Sequence, residues 1–244
     1  MLQGGFCLDK VKSDFLKLLL KKGALKIAPS ASDLFKFKSG RMSPNFINIG
    51  SLTDGESIHS LRKAYSGFTA DLLADKKIEK FDFVYGPAYK GITLAALLAE
   101  GLFEKGYDIR TLYDRKEAKE YGDQKADKVI VGAGWFKQGQ KILIIDDVIT
   151  AGTTTLDSIE KLKLLGEHEI VGVVLAVDRQ ERMGDADNVG DLSSTQMIQQ
   201  QYGLNVYSIL TMQEIFSEVK HHLPPEIRDA WMDYYDRYGA VSLR

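Results

Sequence analysis

Apolar residues recur at helical spacing near the start of the chain, at Leu8, Val11, Phe15, Leu18 and Leu19, and Gly23 is placed to close that helix. Residues 34–38 (Leu-Phe-Lys-Phe-Lys) alternate apolar with polar as a half-buried strand does. Ser39-Gly40 makes a turn and residues 45–49 form a second short strand, so the pattern predicts a hairpin. From about Ser57 a helix carries Ile58, Leu61, Tyr65, Phe68, Leu72 and Leu73 on one side. Strand and helix then alternate. A strand over 81–85 is broken by Gly86-Pro87, an Ala- and Leu-rich helix starts at about Gly91, and a strand covers 109–113. A short strand over 129–131 precedes the glycine-containing turn at 132–134. A strand from Ile142 leads to a helix with Leu156, Ile159, Leu162 and Leu165, stopped by Gly166, and then to a strand over 170–177. A polar loop over 179–194 precedes a short helix and a strand over 204–210, and two helices follow, over 212–219 and after Pro225.

Strand, helix and strand in direct succession form a βαβ unit, whose strands run parallel. The expected fold class is α/β, a mostly parallel twisted sheet flanked by helices, with an N-terminal helix and β-hairpin hood. One domain accounts for residues 1–244, with the hood at about 1–56, the core at about 57–210 and a helical extension at about 211–244. In open sheets of this kind ligands bind beyond the carboxyl ends of the strands. Four such ends carry polar chemistry: residues 86–90 (Gly-Pro-Ala-Tyr-Lys), Asp114-Arg115-Lys116, Asp146-Asp147 with its loop, and Asp178-Arg179.

Charge and composition narrow the function. Lys plus Arg number 32 against 34 Asp plus Glu, so no basic excess points to a nucleic-acid partner, and any anion site must come from local placement of charge. The single cysteine, Cys7, permits no intramolecular disulfide and fits a reducing compartment. The start lacks a basic region followed by an apolar core, and no apolar run approaches the ~20 residues of a membrane span, so the expectation is a soluble cytoplasmic protein without membrane association. The histidines, His59, His168, His221 and His222, show no metal-ligand spacing and read as structural or surface residues.

The densest chemistry lies over residues 142–155. Four aliphatic residues run into Asp146 and Asp147, and a loop of threonines with Gly152 leads into a helix. A helix start leaves backbone N–H groups without partners and carries partial positive charge. Gly152 lets backbone approach a ligand, and the hydroxyls of Thr150, Thr153, Thr154 and Thr155 add donors, which makes a cup for a phosphate monoester. The two carboxylates would repel a phosphate beside them. They suit sugar hydroxyls, or a hydrated metal that also touches the ligand. A phosphate at one end and a diol or metal at the other describe a phosphorylated ribose. The stretch is neither a Walker A loop nor a dinucleotide fingerprint, since no G-x-x-x-x-G-K-[ST] occurs and Gly132-Ala-Gly134 lacks a third glycine.

Residues 142–155 resemble the phosphoribosyl-pyrophosphate motif of type I phosphoribosyltransferases. Further segments are similar to orotate phosphoribosyltransferases in particular: 38–48 (Lys-Ser-Gly-Arg-Met-Ser-Pro-Asn-Phe-Ile-Asn), 86–92 (Gly-Pro-Ala-Tyr-Lys-Gly-Ile), 114–119 (Asp-Arg-Lys-Glu-Ala-Lys) and 175–182 (Leu-Ala-Val-Asp-Arg-Gln-Glu-Arg). They fall in the family's order. The resemblance implies the type I phosphoribosyltransferase fold and transfer of a 5-phosphoribosyl group from phosphoribosyl pyrophosphate to orotate, giving orotidine 5′-monophosphate and pyrophosphate in pyrimidine synthesis. Lys38, Tyr89, Lys90, Arg115, Lys116, Lys119 and the run Asp146, Asp147, Val148, Ile149, Thr150, Ala151, Gly152, Thr153 and Thr154 match positions that bind phosphoribosyl pyrophosphate. Arg115, Lys119, Asp146 and Asp147 take the catalytic roles. Phe46, Ile47, Thr150 and Arg179 match positions that hold orotate. The resemblance also implies Mg²⁺, bound mainly by ligand oxygens and water, and a homodimer in which a loop crosses between subunits.

The charged segment 114–128 has few residues to bury and on its own reads as solvated surface; in the family it is the mobile catalytic loop. Arg179 follows an Asp at a strand end and needs an anionic partner, either the orotate carboxylate or an ion pair within the protein. Two positions depart from the family. Tyr121 stands where a histidine is common; it donates a hydrogen bond to pyrophosphate but brings no positive charge. Ile47 stands where a second aromatic is frequent. The tail with Trp231, Tyr234 and Tyr235 has no assigned function beyond packing or oligomer contact. Two alternatives stay open: a sister enzyme acting on a purine or another base, and a regulator that binds phosphoribosyl pyrophosphate without turnover.

Overall fold

The computed structural model describes residues 8–115, 125–149 and 153–244. The chain opens on α1 (Lys10–Lys21), whose first turn is capped by Asp9 accepting from Lys12 N at 2.9 Å. Four short strands follow: β1 (Leu25–Ile27), β2 (Phe35–Lys36), β3 (Met42–Ser43) and β4 (Asn45–Ile47). The core then runs α2 (Gly55–Ala74), β5 (Phe83–Tyr85), α3 (Lys90–Phe103), β6 (Arg110–Asp114), α4 (Lys125–Val129), β7 (Ile130–Val131), β8 (Gln140–Asp146), α5 (Thr153–Leu162) and β9 (His168–Asp178). It continues through β10 (Arg182–Gly184), β11 (Val189–Ser193), α6 (Ser194–Tyr202) and β12 (Val206–Thr211), and closes on α7 (Met212–Val219) and α8 (Pro225–Tyr238).

The central sheet has six strands in the order β12-β9-β8-β5-β6-β7. Every neighbouring pair is parallel except β6 with β7. Its middle strands are buried on both faces, which is why residues 142–145 read as an unbroken aliphatic run. Val84, Leu143, Ile145, Val174 and Ala176 point to one side and pack with α1, α2, α3, α7 and α8. Phe83, Tyr85, Ile142, Ile144, Val173 and Leu175 point to the other and pack with α4 and α5. After β5 the chain adds β6 and β7 on one side, then returns to add β8, β9 and β12 on the other. The order therefore reverses between β5 and β8, and the crevice at their carboxyl ends is where such a sheet receives a ligand.

Three expectations change in detail. The predicted hairpin exists, but β2 pairs with β3, while β4 pairs antiparallel with β1, a strand the local pattern did not reveal. Gly40 takes φ +81° in the turn, and Phe37 N donates to Arg41 O at 2.9 Å, so the reversal is tighter than a pairing of 34–38 with 45–49 would need. The polar loop over 179–194 contains the antiparallel pair β10–β11, stitched to the body by Arg41. The charged segment 114–128 ends in α4, where Ala126 is buried against the second face of the sheet. Among the described residues, no helix is long and apolar enough to cross a membrane.

Candidate active site

At the end of β8, Asp146 and Asp147 are each 8% exposed, a rare state for adjacent carboxylates. Their backbone is held from both sides. Tyr65 Oη on α2 donates to Asp146 O at 2.9 Å, and Ala176 N and Val177 N on β9 donate to Asp147 O at 3.0 and 3.2 Å. Asp147 N donates to Asp146 Oδ1 at 2.9 Å. Burial, and then the neighbouring Asp147 charge, push the Asp146 carboxyl up to about 7. Val148 and Ile149 follow at the junction, Val148 packed toward one face of the core and Ile149 toward the other. Thr150, Ala151 and Gly152 lie outside the described residues. Thr153 and Thr154 open α5, so their backbone N–H groups are those of a helix start. Thr155 is buried, 1% exposed.

Across the crevice, β5 runs into the turn 86–90. A Cβ on Gly86 would sit 1.9 Å from Gly91 O, and one on Gly91 would sit 2.6 Å from Pro87 Cδ, so this turn closes only with glycine at both places. The turn delivers Lys90, whose Nζ donates to Asp147 Oδ2 at 2.6 Å. Tyr89 beside it is exposed. The turn is tied down by Asp114 at the end of β6: Asp114 Oδ1 accepts from Ala88 N at 2.6 Å, and Lys161 Nζ on α5 donates to Asp114 Oδ2 at 2.5 Å. One buried carboxylate thus links the β5 turn, the root of the charged segment and the helix that follows β8. Arg115 is fixed through its backbone N, which donates to Val129 O at 2.7 Å, and its Nε is buried without a protein partner among the described residues. Lys116, Lys119 and Tyr121 lie outside the described residues.

A third group stands beyond β9 and the hood. The Arg179 guanidinium lies over the Phe37 ring at 4.3 Å, and Phe37 and Phe46 have ring centroids 6.2 Å apart. Phe37 therefore joins Phe46 to Arg179, a role its place in an alternating strand did not signal. Phe46 is partly exposed, whereas Ile47 turns to the core. Arg179 already has an anionic partner: Glu181 Oε1 accepts from its Nε at 3.1 Å and its Nη2 at 2.5 Å. Lys38 is exposed, one residue past Phe37. The hood reaches the lysine as well, since a Cβ on Gly50 would lie 3.2 Å from Lys90 Cε. For Tyr65, Asp114, Lys161 and Glu181, sequence pattern alone gave no sign of the polar contacts they make. Their partners lie 81, 47, 47 and 2 positions away respectively, and only the last pairing is local.

Among the described residues, no group of three or more His, Cys, Asp or Glu stands together to hold a metal ion by itself. The adjacent carboxylates of Asp146 and Asp147 are hard oxygen donors of the kind that suit a hydrated Mg²⁺ shared with a ligand. The whole arrangement offers buried negative charge at the crevice, a lysine bridging to it, a helix start for phosphate, and an aromatic and arginine group for a planar anion.

Comparison with known proteins follows the same lines. The model of the phosphoribosyl transferase domain matches residues 55–206. The chain is 39% identical over 213 residues to an orotate phosphoribosyltransferase of Polynucleobacter necessarius, covering 84% of this chain and 88% of the relative. It is 36% identical over 239 residues to one of Kluyveromyces lactis, covering 96% and 98%. Its structure is similar to the crystal structure of the orotate phosphoribosyltransferase of Francisella tularensis, with a TM-score of 0.74, 35% identity, and coverage of 92% of this chain and 98% of that one.

Proposed function

The chain belongs to the orotate phosphoribosyltransferase family, and on that premise we propose how its residues divide the reaction. The enzyme transfers the 5-phosphoribosyl group from phosphoribosyl pyrophosphate to orotate: the bond from C1′ to the pyrophosphate oxygen breaks and a bond from C1′ to a ring nitrogen of orotate forms. The observation that carries the assignment of roles is the approach of Lys90 to Asp147 across the crevice at 2.6 Å, which brings a cation and the paired carboxylates to one point.

The 5′-phosphate sits on the N–H groups at the start of α5, in the loop from Thr150 to Thr154. Asp146 and Asp147 accept from the ribose hydroxyls and favour the positive charge that develops on the ring as the C1′–O bond breaks. Lys90, Arg115, Lys116 and Lys119 neutralise the departing pyrophosphate, with Lys38, Tyr89 and Tyr121 as further donors. Asp146 and Asp147 would help to hold a hydrated Mg²⁺ that arrives with the ligand, and the ion would supply additional charge neutralisation. Phe46 and Arg179 hold orotate, Arg179 at its carboxylate, and Thr150 with the backbone at Ile47 completes the base side. Oriented orotate is already a usable nucleophile, so catalysis is positioning plus preorganised electrostatics.

The enzyme works as a homodimer whose charged segment after Arg115 closes over the neighbouring site; a segment with few apolar anchors is suited to being organised by a polyanion. The single cysteine supports a cytoplasmic setting. Pyrophosphate release with orotate, set against other bases, tests the reading.

A further inference from the structure

The C-terminal helix α8 is tied to the strand end that carries Arg179. Tyr235 Oη donates to Arg179 O at 2.6 Å, and Tyr234 Oη donates to Glu181 Oε2 at 3.1 Å. Glu181 Oε1 in turn holds the Nε and Nη2 of Arg179, and Arg41 Nη1 stands 3.7 Å from Glu181 Oε2. Below this network Trp231 is fully buried against Phe216, with ring centroids 5.5 Å apart, and Tyr234 packs on Tyr235 and Tyr238. Two backbone links close the loop: Ala240 N donates to Gln180 O at 2.8 Å, and Glu181 bridges to Gly239.

We propose that Tyr234 and Glu181 are positioning residues for the base side of the site, and that α8 sets the affinity for the anionic pyrimidine by orienting Arg179. An arginine side chain free to rotate loses substantial rotamer entropy on binding a carboxylate. Here that freedom is removed in advance. The Nε–Nη2 edge is committed to Glu181 and one face is laid on Phe37 at 4.3 Å, so the ligand carboxylate meets Nη1. Tyr234 keeps Glu181 from swinging away by occupying its other oxygen. Among the described residues the hydrogen bonds and ion pairs of this network do not include Lys90, Asp146 or Asp147, so its effect is specific to the base. The inference rests on the reading that Arg179 contacts orotate.

The experiment measures KM for orotate and for phosphoribosyl pyrophosphate separately, with kcat and thermal midpoint, in Tyr234→Phe, Glu181→Gln and Arg179→Ala. Tyr234→Phe keeps the buried ring and removes only the hydroxyl. The expected result is a three- to tenfold rise in KM for orotate in Tyr234→Phe and Glu181→Gln, with KM for phosphoribosyl pyrophosphate unchanged within twofold. A parallel rise in both KM values with a lowered midpoint marks a merely structural role and overturns the proposal. Arg179→Ala separates the two levels. If it raises KM for orotate while the other variants do not, positioning by α8 is wrong and the Arg179 reading stands. If Arg179→Ala itself leaves KM for orotate unchanged, the Arg179 reading falls and the proposal with it.

Discussion

Lys90 and Asp147 meet at 2.6 Å across the point where the strand order reverses, the lysine more than half exposed and the carboxylate buried. An exposed cation adds little to stability when its partner has other support, and Asp147 is held through its backbone by β9. In the proposed division of roles the same ammonium neutralises the departing pyrophosphate. Lys90→Met should therefore lower kcat/KM for phosphoribosyl pyrophosphate at least tenfold, a loss of ~1.4 kcal/mol or more of transition-state stabilisation. Its urea midpoint should stay close to that of the parent. Unchanged kinetics would remove Lys90 from the site.

Asp146 links function to pH and to stability in opposite senses. Burial and its acidic neighbour raise its folded-state value from 3.8 to about 7, so protonation favours folding. That contribution is complete below about pH 3.8 and is lost as pH rises to about 7. Asp146→Asn keeps the Oδ1 acceptor for Asp147 N and cannot ionise. Thermal denaturation should show the variant near the parent at pH 4 and more stable by about 1–4 kcal/mol at pH 8. The parent's kcat/KM for phosphoribosyl pyrophosphate should rise through an apparent value near 7 as Asp146 ionises, and the variant should lose that dependence along with most of its turnover. A stability difference that grows toward acid pH would contradict the assignment.

Asp114 is expected to matter without touching ligand. Asp114→Ala leaves Ala88 N and Lys161 without their acceptor and should cost about 1–3 kcal/mol, read from urea midpoints. Asp114→Asn keeps an oxygen for Ala88 N and should recover more than half of that loss. Activity should follow the same order, because the turn from Gly86 to Lys90 is what the carboxylate holds. Equal destabilisation in both variants would mean that the charge on Lys161, and not the Ala88 contact, is the main tie.

The elements legible in the chain are those whose signal is local. β8 and β9 announce themselves because strands buried on two faces are continuously apolar, and α5 because Leu156, Ile159, Leu162 and Leu165 keep helical spacing up to Gly166 at φ +88°. The paired carboxylates and the threonine loop are legible for the same reason. What stayed hidden depends on distant partners. β4 chooses β1 over β2, a choice made by tertiary packing and not by alternation. Asp114 is legible as a carboxylate at a strand end, but its burial among three segments of the site is not, because its partners Ala88 and Lys161 lie 26 and 47 positions away. The aromatic tail gives no hint that it grips Arg179, since Tyr235 and Arg179 are 56 positions apart.

The most direct test of the account is a steady-state measurement of pyrophosphate release with phosphoribosyl pyrophosphate and Mg²⁺, comparing orotate with uracil, adenine and hypoxanthine. A site that holds a planar anion on Phe46 and Arg179 should favour orotate over uracil, which lacks the carboxylate, by at least a hundredfold in kcat/KM, corresponding to about 2.7 kcal/mol. Release that is fastest with a purine, or tight binding of phosphoribosyl pyrophosphate without turnover of orotate, would contradict it.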